Sequence, residues 1–367
     1  MPVPTRRVVL ISGHYFGSKR RAGFHHLAEA YWRAGWDVTF VTAGISTLSR
    51  VGGDYRFEYP VREEAGRLVA VRERLTSFVL MARVHPRNLF LPAANRIAAP
   101  LFTRYARTPL GPLELVLRQA HLVIFESTPG LLLVERIRRI AAGARLVYRA
   151  SDDLRMLGVH PLIVKAEEKA LPTFDFVSAP TPAIAEVLAS FATIHVNPPG
   201  IDKTVFDRPT TSPYQGGTNA VFAGVSHFFD YATLDAAARI APNVAFHVIG
   251  PSPRRCRGNV VFRPEMHFEE VVPYMQHATF GLLVLPPRDP RLGYGNKVAQ
   301  YSYCRLPIVA PAHLKVERAN MCVFERGDPD SLRLALIEAE RMEHSPSFAE
   351  GVLSADELAA VLAGEER

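Results

Sequence analysis

Lysine is scarce in this chain: only six of its 43 basic residues are lysine, the rest arginine. Cysteine is scarcer still. Cys256, Cys304 and Cys322 are an odd set without metal-type spacing, which argues against a disulfide framework or a zinc site and for reduced thiols in the cytosol. No uncharged apolar run approaches the roughly 20 residues that a membrane span needs. Arg6 and Arg7 followed by Val8–Ile11 imitate a leader peptide, but the apolar run is too short and Lys19, Arg20 and Arg21 follow closely. A buried first strand is the better reading.

What is present is ordinary globular material, 48% hydrophobic and 22% charged, in a chain of 367 residues that can fill two cores. The formal charge of +7 and isoelectric point near 9.4 call for an acidic partner: nucleic acid, anionic lipid or a phosphorylated substrate. The charge is uneven. Between Arg62 and Arg118 there are ten arginines against four glutamates, interleaved with Phe78–Met81, Leu89–Leu91, Ile97, Leu101 and Phe102. That mixture suits an anionic membrane surface, with Arg83 and Arg87 on the acceptor and membrane side; a solvated face over ordinary core is the alternative. The expected location is cytoplasmic, at the inner face of the membrane.

Short apolar runs alternate with helical patterns, as parallel strands with crossover helices do. Strands are expected at 8–12, 38–42, 122–125, 146–149, 174–178 and 193–196, then, beyond the turn-rich Asn197–Asp202, at 220–223, 245–249, 260–262, 280–285, 307–309 and 322–324. The fold class is therefore α/β, with two Rossmann-like domains facing each other across a cleft: 1–197, 198–350, and a C-terminal helix in 351–367 that packs back on the first domain. Ligands should bind at the carboxyl ends of the strands.

Three segments of the second half suit a nucleotide-sugar. Phe246–Gly250 is a strand ending in glycine. Val260–Met266 is a strand running to Glu265 and Met266. Leu292–Gln300 is a glycine-rich loop opening a helix, with Asn296, Lys297 and Gln300; free amides and a lysine at such a start suit a diphosphate. In the first half, Asp152 and Asp153 follow the strand at 146–149, where a general base belongs, although Ser151-Asp152 could equally cap a helix. The basic loop with His14, Lys19, Arg20 and Arg21 could face an acceptor diphosphate or simply water. His25 and His26 are helix neighbours pointing different ways, so no metal site is expected. Asp328-Pro-Asp330 reads as a helix cap rather than a metal-binding motif.

At these positions the sequence resembles the GumK-type glucuronosyltransferase family, a GT-B family of xanthan assembly, from about Val8 to Leu336. The resemblance is carried by Val123–Ser127 with Leu146–Asp152, by Phe246–Gly250, by Glu265-Met266, and by Lys297 with Gln300. It implies a bacterial enzyme of exopolysaccharide synthesis. Such an enzyme transfers glucuronic acid, with inversion, from UDP-glucuronate to a polyprenyl-diphosphate-linked oligosaccharide, without metal or other cofactor. The family's base falls on Asp152 and its nucleotide contacts on Glu265, Met266, Lys297 and Gln300. The family has an aromatic near Leu285-Pro286, a methionine where Asn296 stands, and a loop at Ser226-His227 differing by about one residue. The competing readings are a GT-B-fold nucleotide-sugar 2-epimerase, which needs no lipid, and a basic nucleic-acid-binding protein, for which no recognised motif is present.

Overall fold

The computed structural model describes residues 5–224, 229–254, 256, 258–286 and 296–365. The chain forms two compact units. The first joins the chain up to Pro198 to the segment beginning at Ala355; the described residues of the second lie between Pro199 and Ser354.

The first unit holds eight strands: β1 (Arg7–Ser12), β2 (Asp37–Ser46), β3 (Leu68–Arg72), β4 (Leu75–Ala82), β5 (Leu122–Glu126), β6 (Arg145–Arg149), β7 (Phe176–Ala179) and β8 (His195–Val196). Their order is β3-β4-β2-β1-β5-β6-β7-β8, parallel throughout except for β3 against β4. Central β1 explains its own composition. Covered on both faces, it buries Val8, Val9, Leu10 and Ile11 in one unbroken apolar run. The helix Gly23–Arg33 lays Phe24, Leu27, Ala28 and Tyr31 inward. The helix Ala355–Ala363 packs against it: Tyr31 donates a hydrogen bond to the Ala359 carbonyl at 2.8 Å, and Arg33 pairs with Asp356.

The second unit holds β9 (Thr218–Ala223), β10 (Val244–Ile249), β11 (Val260–Arg263), β12 (Phe280–Leu282), β13 (Ile308–Pro311) and β14 (Met321–Phe324), all parallel in the order β11-β10-β9-β12-β13-β14. This is the doubly wound Rossmann order, and the switch point lies where β9 meets β12. One glycine is indispensable here. Gly250, just past β10, has φ +99°, and a Cβ on it would stand 2.1 Å from the Gly224 carbonyl oxygen. The ends of β9 and β10 approach so closely that no side chain fits between them.

Every strand expected from the apolar runs is present, most of them shifted by a residue or two, and the strand expected at 280–285 ends at Leu282. The structure adds β3 and β4, and with them a correction. Phe78, Val79 and Leu80 are at most 2% exposed, because β4 pairs with β2 inside the sheet. They belong to the core, not to a membrane face. The flanking arginines disguise an ordinary buried strand. Asp328 does cap a helix, its Oδ1 accepting from the Asp330 and Ser331 amides at the start of Pro329–Arg341.

Candidate functional site

In the first unit a cavity of about 600 Å³ opens at the carboxyl ends of β1, β2, β4, β5 and β6. Each strand end delivers residues to it: Gly13 and His14 after β1, the Ser49–Arg56 loop after β2, His85 and Arg87 after β4, Glu126–Thr128 at β5, and Ser151 and Asp152 after β6. The position agrees with the rule for open α/β sheets, since β1 is the strand from which the order runs both ways.

Glu126 organises the floor. Its carboxylate is 6% exposed, yet it keeps three donors: the Ser12 hydroxyl at 2.6 Å, the Gly13 amide at 3.0 Å and the Ser151 hydroxyl at 3.1 Å. One side chain thereby ties together the ends of β1, β5 and β6.

Arg56 does the same for the wall. Its guanidinium forks onto Asp54 and donates to the carbonyls of Gly13, Ala43 and Gly44 at 2.8–3.0 Å, so that all its N–H groups are used. Burial works against the Asp54 charge, but Arg56 holds its carboxyl below the usual range. His85 lies in the same wall, with Nδ1 2.9 Å from the Ser46 hydroxyl. Burial, then the Arg56 charge, push its imidazole down to about 4, which makes it a neutral hydrogen-bonding group at physiological pH.

The two adjacent aspartates after β6 diverge completely. Asp152 is half-buried and lines the cavity. Asp153 is 1% exposed and turns away, accepting from the Arg155 amide at 3.0 Å and its guanidinium at 3.2 Å. The capping alternative for Ser151-Asp152 fails, because the next helix is Pro161–Ala170 and His160 caps it.

The basic candidates of the first unit scatter. His14 and Arg87 line the cavity, and Arg20 stacks on the ring of Tyr55, another lining residue, at 4.2 Å. Arg21 donates to the Phe16 carbonyl, Lys19 is exposed, and exposed Arg83 accepts at its carbonyl from Thr47; none of these three is among the lining residues. His25 is fully buried against the Tyr15 carbonyl, as a structural histidine. Glu126, Asp54, Tyr55, Arg56 and His85 escaped the sequence reading. For Glu126 there was a signal: a carboxylate closing the apolar run Leu122–Phe125.

In the second unit the candidates gather at the carboxyl ends of its sheet. Glu265 and Met266 lie half-buried between β11 and the helix Phe268–His277. Asn296 precedes the helix Lys297–Tyr303, which Lys297 opens; its ammonium donates to Oε1 of buried Gln300 at 2.8 Å. The same ammonium stands 6.0 Å from the ring of Phe268, two residues beyond Met266, so two segments distant in sequence meet. Burial pulls the Lys297 amine down to about 8. Gly250 follows β10, the neighbour of β11 in the sheet. The glycine-rich loop 292–295 and the Ser226-His227 loop lie outside the described residues.

Residues 10–180 match the family model described as "Glucuronosyltransferase GumK, N-terminal domain". Across 337 residues the chain is 28% identical to the UDP-glucuronate:glycolipid 2-beta-glucuronosyltransferase of Xanthomonas campestris pv. campestris, covering 90% of this chain and 83% of that one. Among solved structures, the Candida albicans trehalose-6-phosphate phosphatase N-terminal domain superposes with a TM-score of 0.65 at 11% identity, over 100% of this chain and 98% of that one. An Escherichia coli trehalose-6-phosphate structure bound with UDP-2-fluoro glucose gives 0.56 at 12% identity, over 98% and 96%. At such identities these two likenesses speak for the fold alone.

The divergence of the aspartates has a measurable consequence. Asp153→Asn should destabilise the first unit by about 1.5–3 kcal/mol in urea unfolding, because it removes the carboxylate charge from the hydrogen bonds that Arg155 donates to this buried side chain. A variant as stable as the parent would remove Asp153 from the structural framework.

Proposed function

We propose, from the match of residues 10–180 to the GumK N-terminal-domain model and from the GT-B fold of the chain, that it transfers glucuronic acid from UDP-glucuronate, with inversion, to a polyprenyl-diphosphate-linked oligosaccharide at the cytoplasmic membrane surface. The observation that carries this reading is the separation of Asp152 from Asp153: one carboxylate in the cavity, its neighbour consumed by the framework.

Asp152 then takes the proton of the acceptor hydroxyl as that oxygen attacks the anomeric carbon, while the C–O bond to UDP breaks on the opposite face. Lys297 meets the charge arriving on the diphosphate, a task that a divalent cation performs in other transferases. Glu265, Met266 and Gln300 are the remaining nucleotide contacts, with Gly250 and Asn296 beside them. His14, Arg20 and Arg87 serve the acceptor side.

The membrane part rests on a different observation. Phe90, Leu91 and Ile97 are 82%, 65% and 81% exposed, just before and within the helix Pro92–Phe102, and Arg87, Arg96 and Arg104 of the same stretch are exposed too. The projection is built, not frayed. Phe90 has φ +62°, and the turn is braced by Asn95 accepting from the Leu89 amide and Asn88 accepting from the Phe90 amide at 2.8–2.9 Å. Exposed apolar residues interleaved in sequence with exposed arginines suit the headgroup region of an anionic bilayer. No described helix is long and apolar enough to cross one.

Three measurements test the reading. Asp152→Asn should reduce transfer to lipid extract by about 10²-fold or more while the Tm stays put, because an amide cannot accept the proton; an active variant would move the base elsewhere. UDP affinity should weaken as pH rises from about 7 to 9, through the titration of Lys297 near 8. Above that pH the amine is neutral and no longer offsets the diphosphate, so the dependence should vanish in Lys297→Ala and survive chelation of metals. A flat calorimetric profile for the parent protein would remove Lys297 from the donor site. Finally, changing Phe90, Leu91 and Ile97 together to serine should cut pelleting with anionic vesicles at least tenfold, each buried apolar side chain contributing about 1.5–3 kcal/mol, without touching UDP binding. Undiminished pelleting would return those residues to the solvent.

A further inference from the structure

The residues on either side of Asp152 are held by one chain of buried and half-buried polar groups that the proposed reaction does not itself use. On the upstream side the Ser151 amide donates to Ser127 Oγ at 3.0 Å, the Ser127 and Tyr148 hydroxyls are 2.9 Å apart, and Tyr148 donates to Glu167 Oε1. Ser127 accepts from Ser151 and Tyr148 gives its proton to Glu167, so the Ser127 proton must point at the Tyr148 oxygen. All three donors run in one direction, an arrangement in which each bond polarises the next.

On the downstream side Arg155 Nη1 bridges Glu167 Oε2 at 3.0 Å and Asp153 Oδ1 at 3.2 Å. The chain therefore leaves the backbone one residue before Asp152 and returns one residue after it. Tyr148, Glu167 and Asp153 are each no more than 1% exposed.

For stability alone this is a poor investment, since apolar side chains of the same volume would hold the core as well or better. Its distinguishing property is direction. Hydrogen bonds at fixed angles hold a backbone segment in one place, which dispersion contacts do not. Tyr148 also stays a donor across the working pH range, because burial and the Glu167 carboxylate push its phenol far up.

We propose, on the reading that Asp152 is the base, that Tyr148 and Glu167 are positioning residues. They fix Ser151 and Asp153 so that the carboxylate between them meets the acceptor hydroxyl in a reactive geometry, without themselves touching substrate. Neither is among the residues lining the cavity. Each lies one or more bonds behind a residue that is, or that adjoins, Asp152.

The test is a double-mutant cycle on transfer kinetics. Tyr148→Phe deletes one hydroxyl in the middle of the chain and keeps the ring stacked on Phe174 at 5.4 Å. Glu167→Gln cuts the chain at a second point without changing shape. Each should lower kcat about tenfold, leave KM for UDP-glucuronate and for the lipid acceptor within about twofold, and leave UDP affinity intact. The double variant should be no slower than the worse single one, because a chain cut once is already cut. Tyr31→Phe removes an equally buried hydroxyl bond elsewhere in the same unit and should leave kcat unchanged.

A Tyr148→Phe enzyme with parental kcat would overturn the proposal, as would losses that multiply in the double variant or a Tyr31→Phe enzyme slowed to the same degree. Should one of the two variants fail to fold, the other still decides through its split between kcat and KM. Asp152→Asn separates the two levels of inference. If it is inactive while Tyr148→Phe is normal, the base stands and the positioning fails. If Asp152→Asn is fully active, the base assignment falls and the positioning role falls with it.

Discussion

A carboxylate that leaves water must recover its hydrogen bonds from the protein, and Glu126 recovers three of them from three different strand ends. Most of the cavity follows from that requirement. Ser12 and Gly13 must stand where β1 ends, Ser151 where the chain leaves β6, and Glu126 itself at the last position of β5. Leaving any of these groups unpaired in a buried site would cost about 1–3 kcal/mol. The strand ends are therefore registered by polar groups, whereas their middles are registered by Val9, Ile124 and Val147, which need only be apolar and of suitable size.

The same logic recurs around the cavity with a different ion. Arg56 brings the Ser49–Arg56 loop down onto β1 and β2 by donating to three main-chain carbonyls while Asp54 neutralises it. Gly44 makes this possible. Its φ of +66° turns the end of β2, where the pairing with β4 slips, and presents its carbonyl to the guanidinium. Burial, and after it this positive clamp, hold His85 neutral. Exposed Arg87 and half-buried Asp152 bring opposite charges to the cavity's lining.

In the proposed reaction the two units divide the chemistry. The first supplies the proton acceptor and the acceptor's surroundings. The second supplies the cation for the leaving diphosphate. Each unit builds its part in the same manner, from loops that follow parallel strands at a point where the sheet order reverses. The arginine-rich stretch of the first unit has a double nature: β4 in the core and, a few residues on, an apolar tip in the solvent. Lysine is scarce, and Lys297, whose amine burial pulls down to about 8, is the cation that the proposed reaction sets against the diphosphate.

Apolar periodicity and turn residues determined the two α/β units and nearly all their strands. Those signals are local: a strand buried on both faces must be apolar along its whole length, whichever strands become its neighbours. The positions of Asp152 after β6 and of Lys297 after β12 were also within reach, because each comes after the carboxyl end of a strand. β3 and β4 were not, because Arg72, Arg74 and Arg83 at their ends hid the apolar interior of β4. Nor could residue spacing decide between Asp152 and Asp153, two identical side chains one residue apart; only the family resemblance pointed to Asp152. That choice belongs to Arg155, Glu167, Tyr148 and Ser127, which come from other elements and meet only in the folded unit. Burying one aspartate demands a cation and donors from across the sheet, and where those partners converge is a property of the packing and not of the local sequence.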